Sequence, residues 1–233
     1  MSAATSTGPG LLCAATLMEL ETCGGIFSET LEPFVYKVPE GFAAVTGVGS
    51  PLTLVRLMPW LERYRPAWIA VTGIAGAYAG SGLNIGDIVI GSTDEFVDLG
   101  MELPEGKNPN AGFAPLSGFP FADEAHRAPL ALRIPAWASG ARAGRGATVN
   151  ACTGSDATGA RRRALFDVDF ETMEGAAVAL AAHAFNIPVL QVRAVSNLAA
   201  RRDMRPENIT AALDALRAWW SAARPQLLSQ GIA

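Results

Sequence analysis

Charge is scarce in this chain of 233 residues: 17% are Asp, Glu, Lys or Arg, and their formal net charge is −4. That balance provides no basic footprint for nucleic acid, and the one cluster, Arg161-Arg162-Arg163, is short and isolated, as on a solvated helix face. Cysteine is sparse too. Cys13, Cys23 and Cys152 are an odd number without metal-type spacing, which argues against a disulfide framework or a metal site and for reduced thiols in a cytoplasmic protein. Long apolar runs are missing: Ala176 to Leu190 contains His183, Asn186 and Pro188, too short and too interrupted to span a bilayer. The apolar run from Leu11 is broken by Glu19 and Glu21 and lacks a basic flank, so no secretory signal is expected. The only histidines, His126 and His183, have no Ser, Cys or carboxylate neighbour in a triad-like context and read as surface or packing residues.

What is present is half hydrophobic, enough for a full core, and a single domain over 1–233 is expected, with 1–9 as a flexible N-terminus. Leu11–Thr16, Phe42–Thr46, Trp68–Thr72, Asp87–Ile90, Ala147–Ala151, Val168–Thr172 and Pro188–Val195 read as strands. Helices are expected over Pro51–Tyr64, Asp156–Leu165, Glu174–Phe185 and Glu207–Leu228. This alternation predicts a three-layer α/β/α fold with a mixed, mostly parallel central sheet. Six prolines among glycines between Gly100 and Gly140 predict a long loop or lid.

Several positions could carry chemistry. Gly47-Val48-Gly49 resembles the start of a dinucleotide fingerprint, but Leu52 stands in place of the third glycine, so a tight turn without cofactor is expected. The small residues of Thr72-Gly73-Ile74-Ala75-Gly76, read as a loop after a central strand, would let a ligand approach the backbone. Glu174 opens an otherwise apolar helix, where a carboxylate can be only a dipole partner. Ser196 and Asn197 end a buried strand, and Glu19 follows the first one. If all these strands are parallel, Glu19, Glu174 and Asn197 converge at one edge of the sheet.

Taken together, these segments resemble the nucleoside phosphorylase and nucleosidase superfamily over essentially the whole chain. The methylthioadenosine/S-adenosylhomocysteine nucleosidases have a carboxylate after the first strand, a Gly-x-Gly turn, Thr-Gly-x-Ala-Gly, Gly-Asp-Ile-Val, Met-Glu opening a helix, and Arg-x-x-Ser-Asp closing the next strand. Here these are Glu19, Gly47 to Gly49, Thr72 to Gly76, Gly86 to Val89, Met173-Glu174 and Arg193 to Asn197. Asn197 replaces the aspartic acid that protonates N7 of adenine in those enzymes. Together with Glu171 to Ala176 and Phe96 to Glu102, this resembles the futalosine hydrolase family, which releases hypoxanthine.

Chemistry points the same way. A 6-oxopurine needs a donor for O6 beside an acceptor for N7–H, and an amide supplies both. The resemblance implies that Glu19 activates water, Glu174 binds the ribose hydroxyls, Met173 packs on the sugar, Ser196 holds Asn197, and the backbone at Ala75 and Gly76 lines the pocket. It also implies base-flanking residues within Thr153 to Thr158, a homo-oligomer and no cofactor. Val71 stands where the phosphorylases place a phosphate-binding arginine, so water is the expected nucleophile. Arg127, Arg133, Arg201 and Arg202 are candidates for pairing with the carboxylate arm of futalosine. The rivals are an adenine-releasing nucleosidase acting on methylthioadenosine, S-adenosylhomocysteine or aminofutalosine, a 6-oxopurine phosphorylase and a purine-binding storage protein.

Overall fold

Apolar runs punctuated by caps and glycines build the elements in turn. The structure, a computed structural model, describes residues 8–24, 27–102, 113–115, 129–201 and 204–232. Strand β1 (Gly10–Ala14) is buried throughout, as a strand covered on both faces must be. Helix α1 (Leu17–Glu21) follows at once, because Thr16 and Glu19 form a reciprocal capping box at its start. Strands β2 (Glu29–Glu32), β3 (Val35–Val38) and β4 (Gly41–Val45) make an antiparallel meander. Helix α2 (Ser50–Tyr64) begins with Pro51 in its first turn, where the missing N–H costs nothing.

Two nine-residue strands come next, β5 (Ile69–Ala77) and β6 (Ile88–Phe96). The short pair β7 (Gly100–Glu102) and β8 (Phe113–Pro115) stands apart, and β9 (Leu130–Ala131) adds to β6. The rest alternates: β10 (Arg142–Thr148), α3 (Asp156–Phe166), β11 (Phe170–Thr172), α4 (Gly175–Ala184), β12 (Val189–Leu198) and α5 (Pro206–Gln230).

The main sheet has the order β11-β10-β6-β12-β5-β1-β4-β3-β2. β1 is parallel to β4 and β5, β5 is parallel to β12, and β6 is parallel to β10, whereas β6 and β12 run antiparallel. The mixed α/β fold is as expected. One face packs on α2 and α4 through Leu57, Leu61, Val178 and Ala182, and the other packs on α5 through Leu216, Trp220 and Leu227. β11 pairs with β10 and also, antiparallel, with β5, so β5, β12, β6, β10 and β11 close on themselves.

Several expectations need correction. Thr72 to Gly76 is no loop: it lies inside β5, where Gly73, at φ 154°, lets the strand continue past two crowding side chains. The strand expected at Ala147–Ala151 begins earlier, at Arg142. Gly144 and Gly146 hid it, because they are bare to admit Val89 and Asp94: a Cβ would lie 2.8 Å from Val89 Cγ2 and 2.4 Å from Asp94 Oδ2. The arginine cluster is a solvated face only at Arg161, which is exposed, whereas Arg162 and Arg163 turn inward. Arg162 donates to Thr153 Oγ1 and Ala151 O, and Arg163 donates to Val168 O and Asp169. The span 100–140 contains strands and a short 3-10 turn at Ala136–Ala138. Its lid role, His126 and Arg127, together with Arg202 and the first seven residues of the N-terminus expected to be flexible over 1–9, lie outside the described residues.

Candidate active site

Glu19, Ala75, Gly76, Met173, Glu174, Ser196 and Asn197 line one cleft of about 340 Å³. They do not meet as the ends of parallel strands. β11, which delivers Met173 and Glu174, runs antiparallel to β5, and Glu19 sits on α1 rather than on a strand end.

Glu19 is 7% exposed and tightly held. Its Oε2 accepts from Thr16 N at 3.1 Å and Thr16 Oγ1 at 2.7 Å, and its Oε1 accepts from Ile74 N at 3.0 Å. A carboxylate has about four acceptor positions, so one remains for a ligand or a water.

Glu174 is the N-cap residue of α4, and its Oε1 takes the Gly49 N–H at 2.9 Å. The Gly-Val-Gly turn therefore orients a site carboxylate across 125 residues of sequence. Burial pushes the Glu174 pKa above the ordinary carboxylate value and nearby Glu19 pushes it further, while Arg193 and the Gly49 N–H offset part of the rise.

In the sequence Arg193 stands out only as part of a motif. Its guanidinium is 1% exposed, with Nη1 3.8 Å from Glu174 Oε2 and Nη2 donating to Gln191 Oε1 at 3.4 Å. Behind it, Gln191 Nε2 donates to Asp94 Oδ2 at 2.8 Å, and Thr148 Oγ1 donates to Asp94 Oδ1 at 2.7 Å. Burial raises the Asp94 pKa to about 6 even though Gln191, Thr148 and Arg193 all favour the charged form. The available signal was Gln191 and Arg193 at alternate positions of an otherwise apolar strand, since buried charges require partners.

Gly73 is where these side chains crowd the backbone. A Cβ there would stand 2.5 Å from Glu19 Oε1 and 2.6 Å from Arg193 Nη1. Gly73→Ala is expected to cost about 1–3 kcal/mol of stability through overpacking. It should also lower turnover at least tenfold by displacing both groups, as melting curves and steady-state rates would show; a fully active, fully stable variant would contradict this.

Asn197 owes its place to a β-bulge. The register of β12 on β5 passes from Val195↔Ala75 to Asn197↔Gly76, so Ser196 is the extra residue, and the consecutive residues Ser196 and Asn197 both line the cleft. Ser196 Oγ donates to Asn197 Oδ1 at 3.0 Å, and Asn197 Nδ2 donates to Leu198 O at 2.9 Å. One N–H and one oxygen lone pair of the amide remain open. Met173 is fixed by Ser50 Oγ, which donates to its carbonyl at 3.1 Å.

Other expected groups lie elsewhere. Arg133 donates its backbone N–H to Val189 O, at the start of the strand that ends near Asn197. At roughly 3.3 Å per residue that is far from the cleft. Arg201 is exposed, its backbone tied to Asp156 Oδ1, and the cleft wall nearby consists of Met204, Ile209 and Leu213. Of the expected base-flanking segment, Thr153 is buried behind the wall; the preceding residue, Cys152, lines the cleft. His183 is exposed on α4, consistent with a surface role.

Comparison with known proteins fits this geometry. The family model described as "Phosphorylase superfamily" matches residues 21–227. The futalosine hydrolase of Streptomyces coelicolor is 37% identical over 155 residues, 65% of this chain and 63% of that protein. The futalosine hydrolase of Acidothermus cellulolyticus is 34% identical over 176 residues, 72% of this chain and 69% of that protein. A methylthioadenosine/S-adenosylhomocysteine nucleosidase from Colwellia psychrerythraea, solved with adenine, superposes with a TM-score of 0.75 at 19% identity, over 97% of this chain and 98% of that one. The chain belongs to the phosphorylase superfamily, with futalosine hydrolases among its relatives.

Proposed function

We propose that this cleft hydrolyses the N-glycosidic bond of futalosine, releasing hypoxanthine and dehypoxanthinyl futalosine. The observation that carries the proposal is the half-satisfied amide of Asn197, with one donor for O6 and one acceptor for N7–H. The kinship with two futalosine hydrolases supports it.

In the reaction, water attacks C1′ of the ribose while the C1′–N9 bond breaks. Glu19 takes the proton of that water, and the departing base acquires a proton at N7 from solvent. Glu174 binds the ribose hydroxyls, and its charge favours the oxocarbenium-like transition state. Arg193 keeps Glu174 ionised and oriented, and Met173 packs against the sugar. Asn197 accepts from N7–H and donates to O6, stabilising the leaving hypoxanthine.

Water rather than phosphate is the nucleophile. Among the described residues lining the cleft there is no lysine or arginine, and Val71 is a buried apolar residue. The test is futalosine incubated without phosphate. Hypoxanthine and a free sugar are expected at full rate, and a requirement for phosphate with a sugar 1-phosphate product would overturn the proposal.

The raised pKa of Glu174 gives a pH signature. Its charged form is the useful one, so kcat should fall as pH drops through an apparent pKa above the ordinary carboxylate value. A rate flat down to pH 4 would contradict this role. Burial of the charge also opposes folding: the contribution of Glu174 to stability is largest below its unfolded pKa and is lost as pH rises through the folded one.

The assembly proposed with this function is a cytoplasmic homo-oligomer. Leu52, Val55 and Met58 leave an exposed apolar stripe on α2 beside Val48 at the cleft, which supports the proposal.

A further inference from the structure

Arg193 and Glu174 face each other without closing. Nη1 stands 3.8 Å from Glu174 Oε2, too long for a hydrogen bond, whereas a guanidinium and a carboxylate in contact settle at about 2.7–2.9 Å. The guanidinium has every reason to close. It is 1% exposed, its donations to Thr72 O and Gln191 Oε1 are long, at 3.5 and 3.4 Å, and its Nε–H has no partner among the described residues. Closing would take Oε2 away from the ribose hydroxyls.

Gln191 and Asp94 hold it back. An ionised Asp94 can only accept, so it turns Gln191 Nε2 towards itself, at 2.8 Å, and leaves Gln191 Oε1 facing Arg193. Asp94 is fixed in turn by Thr148 Oγ1, which donates to it at 2.7 Å and accepts from Ala176 N, also at 2.7 Å, in the first turn of α4. Glu174 caps that same helix. Carboxylate and counter-charge are thus both anchored to one helix start.

The backbone makes room for this pair. A Cβ on Gly175 would overlap both Asp94 Oδ2 and Gln191 Oε1, one on Gly146 would overlap Asp94 Oδ2, and one on Gly91 would lie 2.9 Å from Gln191 Nε2. Asp94 and Gln191 are 0% exposed and neither lines the cleft. The charged groups that act on Asp94 are Arg193 from β12 and Glu95 on its own strand, while β10 and α4 meet it with Thr148, Gly146 and Gly175.

We propose that Gln191 and Asp94 are positioning residues that hold Arg193 back from Glu174, so that the guanidinium favours the charge of Glu174 while Oε2 stays open to the ribose. The proposal rests on the ribose-binding role given to Glu174 above. Neither residue touches the substrate.

The experiment follows kcat/KM for futalosine against pH, with melting curves and calorimetric affinity for free hypoxanthine, in the parent, Gln191→Met and Gln191→Glu. In Gln191→Met the guanidinium loses its acceptor and closes on Oε2. Its kcat/KM should fall about 10- to 100-fold, the range for a hydrogen bond to a charged acceptor. The acid limb of the profile should move to lower pH, because the closed pair favours the Glu174 charge. Affinity for hypoxanthine, which lacks the sugar, should stay within a few fold. Gln191→Glu should do the opposite to the limb: its carboxylate shares a proton with Asp94, draws Arg193 away from Glu174 and moves the limb to higher pH. A limb that stays in place in either folded variant, or moves the other way, overturns the proposal, and the opposite signs keep it testable if one variant does not fold. A loss of hypoxanthine affinity as large as the loss of kcat/KM would overturn it too. Failure of the futalosine reading shows separately, as a parent active only on the 6-amino analogue, whose ribose allows the same comparison.

Discussion

Asn197→Asp is expected to move the preference of the enzyme from 6-oxo to 6-amino purine nucleosides, with the ratio of kcat/KM for futalosine over its 6-amino analogue falling by about 10⁴-fold. The reason is local. The amide shows the base one N–H and one oxygen lone pair, because Ser196 Oγ and Leu198 O occupy its other positions. An ionised Asp would present lone pairs to O6 and repel it. A protonated Asp can donate to N7 and accept from an exocyclic amine, the pattern of adenine. Asn197→Ala serves as the control, since it should weaken both substrates without reversing their order. The check is steady-state kinetics on both nucleosides, and unchanged selectivity in a well-folded Asn197→Asp would remove the amide from the account.

Glu19→Gln should lower kcat by about 10²- to 10⁴-fold, the usual contribution of a positioned general base, while leaving hypoxanthine affinity within a few fold. The fold should tolerate the change. A glutamine at the third position of α1 still satisfies the capping box through its carbonyl oxygen, which accepts the Thr16 N–H as Glu19 does now. Only the contact to Ile74 N at the other oxygen is exchanged for a mismatch. Rapid mixing without phosphate separates the two effects, and a variant that binds and turns over like the parent would rule out Glu19 as the base.

The sequence made some of this legible for identifiable physical reasons. The second half of the chain was clearest, because the Ala-rich α4 and the apolar β12 contrast sharply with the polar residues at their ends, Glu174 and Ser196-Asn197. The edge strand β2 was invisible: Glu29, Thr30 and Leu31 are all exposed and carry no apolar alternation. β10 was masked by glycines whose purpose, clearance for Val89 and Asp94, depends on residues some fifty positions away.

The interior behind the site was hidden for the same reason. Gln191 and Asp94 are 97 residues apart and Tyr78 and Glu171 are 93 apart, so no spacing rule joins them. Motif order located the groups that line the cleft. It could not locate those that hold them, because their partners are set by the closure of β5, β12, β6, β10 and β11 rather than by any local pattern.

The most direct measurement is therefore a side-by-side assay of the parent protein on futalosine and on its 6-amino analogue, without phosphate, scored by the base released. Faster release of hypoxanthine from futalosine, by several orders of magnitude in kcat/KM, is the predicted result. Preferential release of adenine would contradict it.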